Sequence, residues 1–293
     1  MNQYKLLVII GLTWILFFSA CKSKEVIVPS YLYAKQYTFT TNADKSEGAP
    51  SADIKDYWIF ENEKIRGSFG IPSDIPIQKS GNTPIRISAG IRRSGQEEER
   101  MIYPLFNSYT TNVDLKVNQT DTIIPNFTYL DNCVFKFMED FDKNGVQFEY
   151  NPSFKLAGDT IIREKGSKAW DKDSYSGKVV LKQEGSILEI YSEVFKSLPK
   201  FTPMFFEIDY KNNVPFTIGI YATEIDGSVE QVPLIVLKEK DTWNKLYFDL
   251  ESEISSRPAG TEYRIFLRFS NILSAPIANP EVYIDNLKLI HLD

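Results

Sequence analysis

The sequence predicts an all-β protein made of two β-sandwiches, a small one followed by a larger one. Apolar residues alternate with polar residues along most of the chain, which is the period of strands with one buried face. Turn-forming residues interrupt these runs at the short intervals that are common in sandwiches and barrels. No stretch keeps a helical period over three turns. Together these three observations favour strands throughout.

In the first half of the chain, strands are predicted around Ile87 and Leu115, where apolar and polar residues alternate. The segment Tyr57–Phe60 also reads as a strand. The polar residues 61–63 separate it from the next run, at Ile65, so this region predicts a β-hairpin.

In the second half, the same alternation marks further strands. Their apolar positions are Met204, Phe206, Ile208, Tyr210, Phe216, Ile218, Ile220, Leu246, Phe248, Leu250, Ile265, Leu267 and Phe269. The boundary between the halves is predicted near Pro125–Asp131, where one alternating strand ends and a Phe-rich strand begins. We therefore predict a first β-domain over 31–128 and a second over 131–293.

The N-terminus carries an export signal. A lysine at position 5 precedes the apolar run Leu6–Phe18, which has the length of a signal-peptide core and is short for a membrane-spanning helix. The run ends in Phe18-Ser19-Ala20-Cys21, which resembles a bacterial lipobox in which Phe18 replaces the usual Leu or Val. An ordinary secretory signal followed by an unrelated cysteine is the alternative.

The lipobox resemblance implies how the chain is processed. Residues 1–20 would be removed as a signal peptide, Cys21 would be acylated with palmitate-type chains, and 21–30 would serve as a tether. More than one acyl chain is needed for stable anchoring. This predicts a lipoprotein held at the outer membrane, facing either the periplasm or the cell surface.

Composition excludes several functions. The formal net charge is −6, with acidic residues spread along the chain, which argues against nucleic acid as a partner. Of two cysteines, Cys133 has no partner if Cys21 is acylated. The single histidine, His291, lies two residues from the C-terminus, so the usual histidine-based catalytic and zinc sites are not expected. We predict that the protein is not an enzyme.

The first half resembles an uncharacterised lipoprotein family of the Bacteroidota. The residues that carry this resemblance are Tyr37–Asn42, Ile54–Phe60, Ile71–Ile77, Arg86–Ile91 and Ile102–Phe106. The middle of this stretch is also similar to the PEGA type of surface β-domain, with Asn62, Gly67, Pro76 and Gly90 at the matching positions, although the Pro-Glu-Gly-Ala string is absent. The resemblance implies a PEGA-like or immunoglobulin-like β-sandwich.

The second half resembles a jelly-roll of the carbohydrate-binding-module or galactose-binding type. Four segments match in order, and they are Phe137–Asp142, Ser174–Leu181, Thr242–Phe248 and Val282–Leu289. Such domains either bind glycans or serve as spacers, because a fold alone does not determine function.

The jelly-roll resemblance also implies a structural calcium ion, which prefers six to eight oxygen ligands. The matching positions are Glu139, Asp140, the carbonyl group of Lys178, and Asp285. The alternative is that these acids form ion pairs with lysines or cap turns.

A sugar site needs partly exposed aromatic rings beside polar groups. The candidates are Trp170, Tyr175, Tyr150 and Tyr221, of which the first two lie in a polar, loop-like stretch; Trp243 begins a strand and is expected in the core. Packing against the core is the alternative role for each ring.

Two hypotheses about function follow. The first is a non-catalytic, membrane-anchored binding module whose preferred ligand is a glycan. The second is a structural or accessory scaffold in an envelope protein complex, with no small-molecule ligand.

Overall fold

The computed structural model describes residues 28–272 and 277–293. Nearly all regular structure is β-strand, which confirms the all-β prediction. Within the described ranges the other regular elements are one α-helix, α1 (Glu251–Ser256), and two 3₁₀ turns, Ala43–Lys45 and Pro152–Phe154. None of the helices in these ranges has the length and apolar character needed to cross a lipid bilayer.

The N-terminal half, residues 28–130, contains ten short strands. They are β1 (Ser30–Ala34), β2 (Thr38–Phe39), β3 (Asp56–Glu61), β4 (Lys64–Gly70), β5 (Ser73–Ile77), β6 (Gly81–Arg92), β7 (Arg100–Ile102), β8 (Tyr109–Leu115), β9 (Thr120–Ile123) and β10 (Asn126–Phe127). The largest sheet has the order β4-β3-β6-β7, with β8 also paired to β6. A three-stranded sheet, β5-β1-β9, and the pair β10-β2 complete this half.

The predicted hairpin is present as β3 and β4. Glu61 pairs with Lys64, which leaves a two-residue loop of Asn62 and Glu63. Both loop residues have positive φ angles, 46° and 59°. Two positive φ angles define the turn type whose twist matches that of the strands it joins.

The C-terminal half, residues 131–293, is a sandwich of two mostly antiparallel sheets. Its strands are β11 (Cys133–Glu139), β12 (Glu149–Tyr150), β13 (Thr160–Lys165), β14 (Tyr175–Val180), β15 (Ile187–Tyr191), β16 (Met204–Asn212), β17 (Phe216–Thr223), β18 (Val229–Leu237), β19 (Lys240–Asp249), β20 (Glu262–Ser270) and β21 (Val282–Leu292). The covered sheet has the order β13-β14-β21-β16-β19, with β11 also beside β21. The open sheet has the order β12-β15-β20-β17-β18.

Alternation along the strands builds the core between these two sheets. In β20, for example, Ile265, Leu267 and Phe269 point into the core, whereas Arg264 and Arg268 lie on the outer face. Packing two such sheets face to face buries the apolar side of each. The predicted apolar positions of the second half lie in or against this core.

The outer face of the covered sheet packs against the N-terminal half. Phe205, Tyr247 and Ile290 project from this face into the hydrophobic core of the N-terminal half. The ring of Tyr103 lies 4.9 Å from that of Phe205 and 4.8 Å from that of Tyr247, measured between centroids. The two halves therefore share a continuous apolar interface, which we call the seam.

Candidate functional site

The structure does not bring the sequence-predicted aromatic residues together. Tyr150 and Tyr175 pack against the core of the sandwich, and Trp170 lines a cavity at the seam. Tyr221 lies on the outer face of the open sheet, on β17. Cys21, the predicted lipidation site, lies outside the described residues.

Packing explains the positions of Tyr150 and Tyr175. The hydroxyl of Tyr150 forms a hydrogen bond of 2.8 Å with that of Thr160 and accepts the Ile161 N–H. The ring of Tyr175 lies under the guanidinium group of Arg163, 4.2 Å from the ring centroid. Both rings are only partly exposed. These contacts favour a structural role for the two tyrosines.

The outer face of the open sheet, which we call the open face, presents a compact group of aromatic and polar side chains. Strand register creates this group, because Glu189 on β15 pairs with Arg268 on β20, and Tyr221 on β17 pairs with Gln231 on β18. Residues far apart in sequence thereby become neighbours on one surface. Tyr191 extends the group toward the β12 edge.

Glu189 is the centre of the open face. The residue is fully buried, and its carboxylate accepts hydrogen bonds from the hydroxyl of Tyr221 at 2.6 Å and from the amide of Gln231 at 3.0 Å. Asn151 donates to it at 2.6 Å, and Arg268 pairs with it at 2.6 Å. A buried carboxylate is costly unless it is paired and hydrogen-bonded, and this one is both. Glu189 therefore fixes the orientation of four surrounding side chains.

Tyr221 is held as a protonated donor. Burial, followed by its hydrogen bond to the Glu189 carboxylate, raises the pKa of Tyr221 to about 12. Its hydroxyl also accepts a hydrogen bond of 2.7 Å from Gln231. The ring packs against Phe266, with centroids 5.3 Å apart.

Gly219 makes room for that packing. A Cβ atom at this position would lie 2.3 Å from the ring of Phe266 and 2.4 Å from the carbonyl oxygen of Val232. Phe266 can therefore lie flat on the open sheet only because residue 219 has no side chain. The ring of Phe266, against which Tyr221 packs, therefore lies against the backbone of Gly219.

Arginine side chains flank the aromatic rings. The guanidinium group of Arg264 lies 4.6 Å from the ring centroid of Tyr191, and that of Arg268 lies 4.3 Å from the ring centroid of Phe154. Arg264 also pairs with Glu149 at 2.8 Å. The open face thus offers partly exposed rings next to fixed donors and acceptors, which is the combination that recognises a polar ligand with apolar patches.

The residues proposed for calcium lie on or next to β11, β14 and β21 of the covered sheet. The carboxylates among them already accept hydrogen bonds from protein groups. The carboxylate of Glu139 accepts the backbone N–H groups of Phe141 and Gln147, at 2.7 and 2.6 Å. Asp285 accepts the hydroxyl of Ser176 at 2.6 Å and the Asn286 N–H at 2.7 Å.

The two other proposed calcium ligands also have local partners. Asp140 accepts the Asp142 N–H at 3.2 Å, and Lys178, whose carbonyl group is the proposed ligand, lies on β14 and pairs with Ile162 on β13 and Tyr283 on β21. Across the described ranges, no group of three or more His, Cys, Asp and Glu side chains is positioned to hold a metal ion. Calcium there would need backbone carbonyl groups as further ligands, and its binding stays a prediction.

A second polar group is buried at the seam. Glu207 and Asp209 on β16 and Lys245 on β19 lie on the outer face of the covered sheet, with Lys288 on β21 beside them. Lys245 lies 3.1 Å from a carboxylate oxygen of Glu207 and 3.7 Å from one of Asp209. Glu207 and Asp209 lie on the side of β16 that faces away from the sandwich core, and the N-terminal half covers that side.

The N-terminal half contributes donors to these buried acids. Tyr103 and Tyr129 donate hydroxyl hydrogen bonds to Glu207 at 2.6 and 2.9 Å, and Ser51 donates to Asp209. Burial lowers the pKa of Lys288 to about 8, with the nearby Lys245 adding to the effect. For Lys245, burial lowers the pKa, but Asp209 and Glu207 outweigh it and raise the value.

Neither Cys133 nor His291 lies in surroundings that would activate it for catalysis. Burial raises the pKa of the Cys133 thiol to about 12, and this thiol donates to the carbonyl oxygen of Leu105. A thiol with a raised pKa is a poor nucleophile. His291 lies on the last strand, and its Nδ1 is 2.9 Å from the carbonyl oxygen of Leu292.

Sequence reasoning missed most of the open face. It selected Tyr221 but not Glu189, Tyr191 or Arg268. One signal was available, since Glu189 is a lone acid in the apolar segment Ile187–Tyr191, and acids are rarely placed among strand core residues without a partner. Trp243 was expected in the core, but it is partly exposed and lines the seam cavity with Trp170.

Comparison with known proteins gives similarity of fold only. Neither the protein-family models nor the curated proteins contain a match to this sequence. Among solved structures, a xylan-binding family 22 carbohydrate-binding module has a TM-score of 0.38 and 12% identity, over 54% of this chain and 95% of that one.

Two further structures show the same level of similarity. One, described as concerning the promiscuous specificity of carbohydrate-binding modules of the β-sandwich superfamily, has a TM-score of 0.41 and 12% identity, over 91% of this chain and 99% of that one. The family 11 module of a Clostridium thermocellum cellulosomal cellulase has a TM-score of 0.30 and 14% identity, over 52% and 92%. At such scores the function has to be argued from the side chains of this chain.

Proposed function

We propose that the protein is a lipid-anchored protein of the bacterial outer membrane that binds a glycan on its open face, without a catalytic role. The observation that carries the proposal is the group around Glu189, where partly exposed rings sit beside a fixed set of hydrogen-bonding side chains. The anchor is proposed from the lipobox at Cys21.

The chemistry of the open face suits a sugar. Rings such as those of Tyr191 and Tyr221 offer apolar area to the C–H face of a pyranose, and amide and guanidinium groups can hydrogen-bond its hydroxyls. Because Glu189 already holds these groups in place, little side-chain freedom is lost when a ligand binds, and such preorganisation favours affinity.

Affinity electrophoresis in gels containing a soluble polysaccharide tests the glycan proposal. The protein from Lys22 onward would be compared with its Tyr191→Ala and Tyr175→Ala variants. These tyrosines are matched, since each is partly exposed and lies under an arginine, but only Tyr191 is on the open face. We expect retardation of the parent and of Tyr175→Ala, and about tenfold weaker retention of Tyr191→Ala, the loss expected for one aromatic contact.

Specific results would contradict each part of the proposal. If no polysaccharide of a broad panel retards the parent protein, or if both tyrosine variants behave alike, the open face does not bind glycans. Release of reducing ends from a retained polysaccharide would contradict the non-catalytic part. For the anchor, metabolic labelling with a palmitate analogue should mark the full chain and not Cys21→Ser.

A protein-contact scaffold is the competing proposal, and exposed apolar side chains favour it. Val229 and Val236 on the edge strand β18 are each 61% exposed, and Ile225 in the preceding turn is 80% exposed. Apolar edge strands are suited to pairing with another chain. A stoichiometric partner that co-purifies from membranes, and is lost on Val229→Lys but retained on Tyr191→Ala, would support the scaffold over the glycan module.

A further inference from the structure

Two tryptophans and a segment of the N-terminal half enclose a cavity at the seam. The cavity has a volume of about 270 Å³. Its walls are the segment 50–55, the side chains of Trp170 and Trp243, and the polar residues Asp209, Asn244 and Lys245. It lies on the covered sheet, and therefore on the opposite side of the sandwich from the open face.

The backbone that carries each tryptophan is held by the surrounding fold. The backbone N–H of Trp170 donates to the hydroxyl of Ser176 at 2.9 Å, and that hydroxyl donates to Asp285 at 2.6 Å. Trp243 is fixed by its place on β19, two residues before the buried Lys245.

The charged residues that line the cavity indicate which class of ligand it can bind. The cavity contains two carboxylates and two ammonium groups, and these are paired, Asp53 with Lys55 at 2.7 Å and Asp209 with Lys245 at 3.7 Å. An anion or a cation would find no uncompensated opposite charge here. A neutral ligand with one apolar face and a polar rim matches a cavity lined by two indole rings and several polar side chains.

Size limits what the cavity can hold. Its volume is below the range of about 300–1,000 Å³ that is usual for sites of drug-sized ligands. A larger cavity of about 630 Å³ adjoins it and shares Asp53, Lys55, Asn244 and Lys245 with it. A single ring therefore fits in the cavity, and a longer ligand could continue along the seam.

From this geometry we infer that the seam cavity is a second binding site, specific for a neutral sugar unit that stacks on Trp170 and Trp243. The site is built jointly by the two halves of the chain and does not depend on the open face. Ligand in this cavity would contact both halves, so its binding also stabilises their arrangement.

Tryptophan fluorescence tests the inference directly. The protein from Lys22 to Asp293 contains every described residue and three tryptophans, Trp58, Trp170 and Trp243. It would be titrated with D-xylose, D-glucose and N-acetyl-D-glucosamine, with their disaccharides, and with D-glucuronic acid and D-glucosamine as charged comparators. We expect at least one neutral sugar to change the emission with a saturable curve, and the charged sugars to bind more weakly.

Variants assign the response to the cavity. Trp243→Ala and Trp170→Ala should each weaken binding about tenfold, as expected for one lost stacking contact. Trp243→Phe keeps a ring and should lose less, which guards against effects of misfolding. Trp58→Phe removes a tryptophan outside the cavity and should leave the affinity unchanged.

Three results would overturn the second site. They are no saturable response to any neutral sugar, a response that survives the double alanine variant of Trp170 and Trp243, and tighter binding of a charged sugar than of its neutral counterpart. If the polysaccharide assay fails while the fluorescence response is intact and depends on Trp170 and Trp243, only the site on the open face is refuted.

Discussion

Replacing Lys245 by methionine should destabilise the protein strongly, although residue 245 is far from the open face. Its ammonium group is the main counter-charge for two buried carboxylates, Glu207 and Asp209, and the side chains of all three residues are at most 4% exposed. Methionine has a similar length and no charge. The Lys245→Met variant therefore leaves two carboxylates in the seam with less compensation.

The expected loss of stability in Lys245→Met can be estimated from the groups that remain around the two carboxylates. Removing one partner of a buried ion pair typically costs about 3–5 kcal/mol, because the remaining charge stays buried. In the variant, Tyr103 and Tyr129 still donate hydrogen bonds to Glu207, and Lys288 lies nearby. These groups reduce the loss, so we expect a decrease of about 3 kcal/mol in the free energy of unfolding, at the low end of that range.

Equilibrium unfolding in urea, followed by circular dichroism and tryptophan fluorescence, measures this loss. The matched control is Lys55→Met, which breaks the Asp53 ion pair, whose side chains are 43% and 31% exposed. Such an exposed pair contributes about 0–1 kcal/mol. Adding Glu207→Gln to Lys245→Met removes one unpaired charge and should restore part of the stability. If Lys245→Met and Lys55→Met differ by less than about 1 kcal/mol, the buried cluster does not stabilise the seam as argued.

Two further predictions concern the sandwich. Gly219→Ala should cost about 1–3 kcal/mol by overpacking against Phe266 and should weaken polysaccharide retention, whereas Gly70→Ala, which meets no atom within 4 Å, should do neither. Burial raises the pKa of Asp285 to about 8, so between about pH 4 and 8 the unfolded chain loses a proton that the folded chain keeps. The contribution of this group to stability therefore falls as the pH rises through that window, and Asp285→Asn should remove this slope in thermal unfolding. If calcium binds at Asp285, adding it at pH 7 should raise the melting temperature of the parent but not of Asp285→Asn, and an unchanged parent would refute the calcium prediction.

Period-two alternation was sufficient to predict which side of each strand faces the sandwich core. In β16 it placed Met204, Phe206 and Ile208 there, and the structure agrees. It could not show what covers the other side, where Phe205 and Glu207 are just as deeply buried. Alternation shows only that one side of a strand is more apolar than the other. The polar side can still be buried when a second domain covers it and supplies hydrogen-bond donors for its charged groups.

The open face was harder to predict because strand register creates it. Tyr221 was identified by residue type, but its contacts with Glu189 and Gln231 join positions 32 and 10 residues away. Shifting a strand by one residue would turn every side chain to the opposite face. A single sequence does not show which residues of two strands lie opposite each other. The group around Glu189 could therefore not be predicted before the pairing of the strands was known.

The arrangement of the halves bears on how the proposed anchor and the open face work together. If Cys21 carries the lipid, eight residues separate it from Ser30, where β1 begins, and the nine backbone steps between them span at most about 30 Å. With that anchor, the N-terminal half would be held close to the membrane. A flexible connection between the halves would leave the open face free to turn in any direction, but the seam is apolar and contains a buried, hydrogen-bonded charge cluster. Because mismatched buried charges are costly, such clusters favour one docking geometry over slipped alternatives. The open face, on the far side of the sandwich from the N-terminal half, then keeps a fixed direction relative to that half.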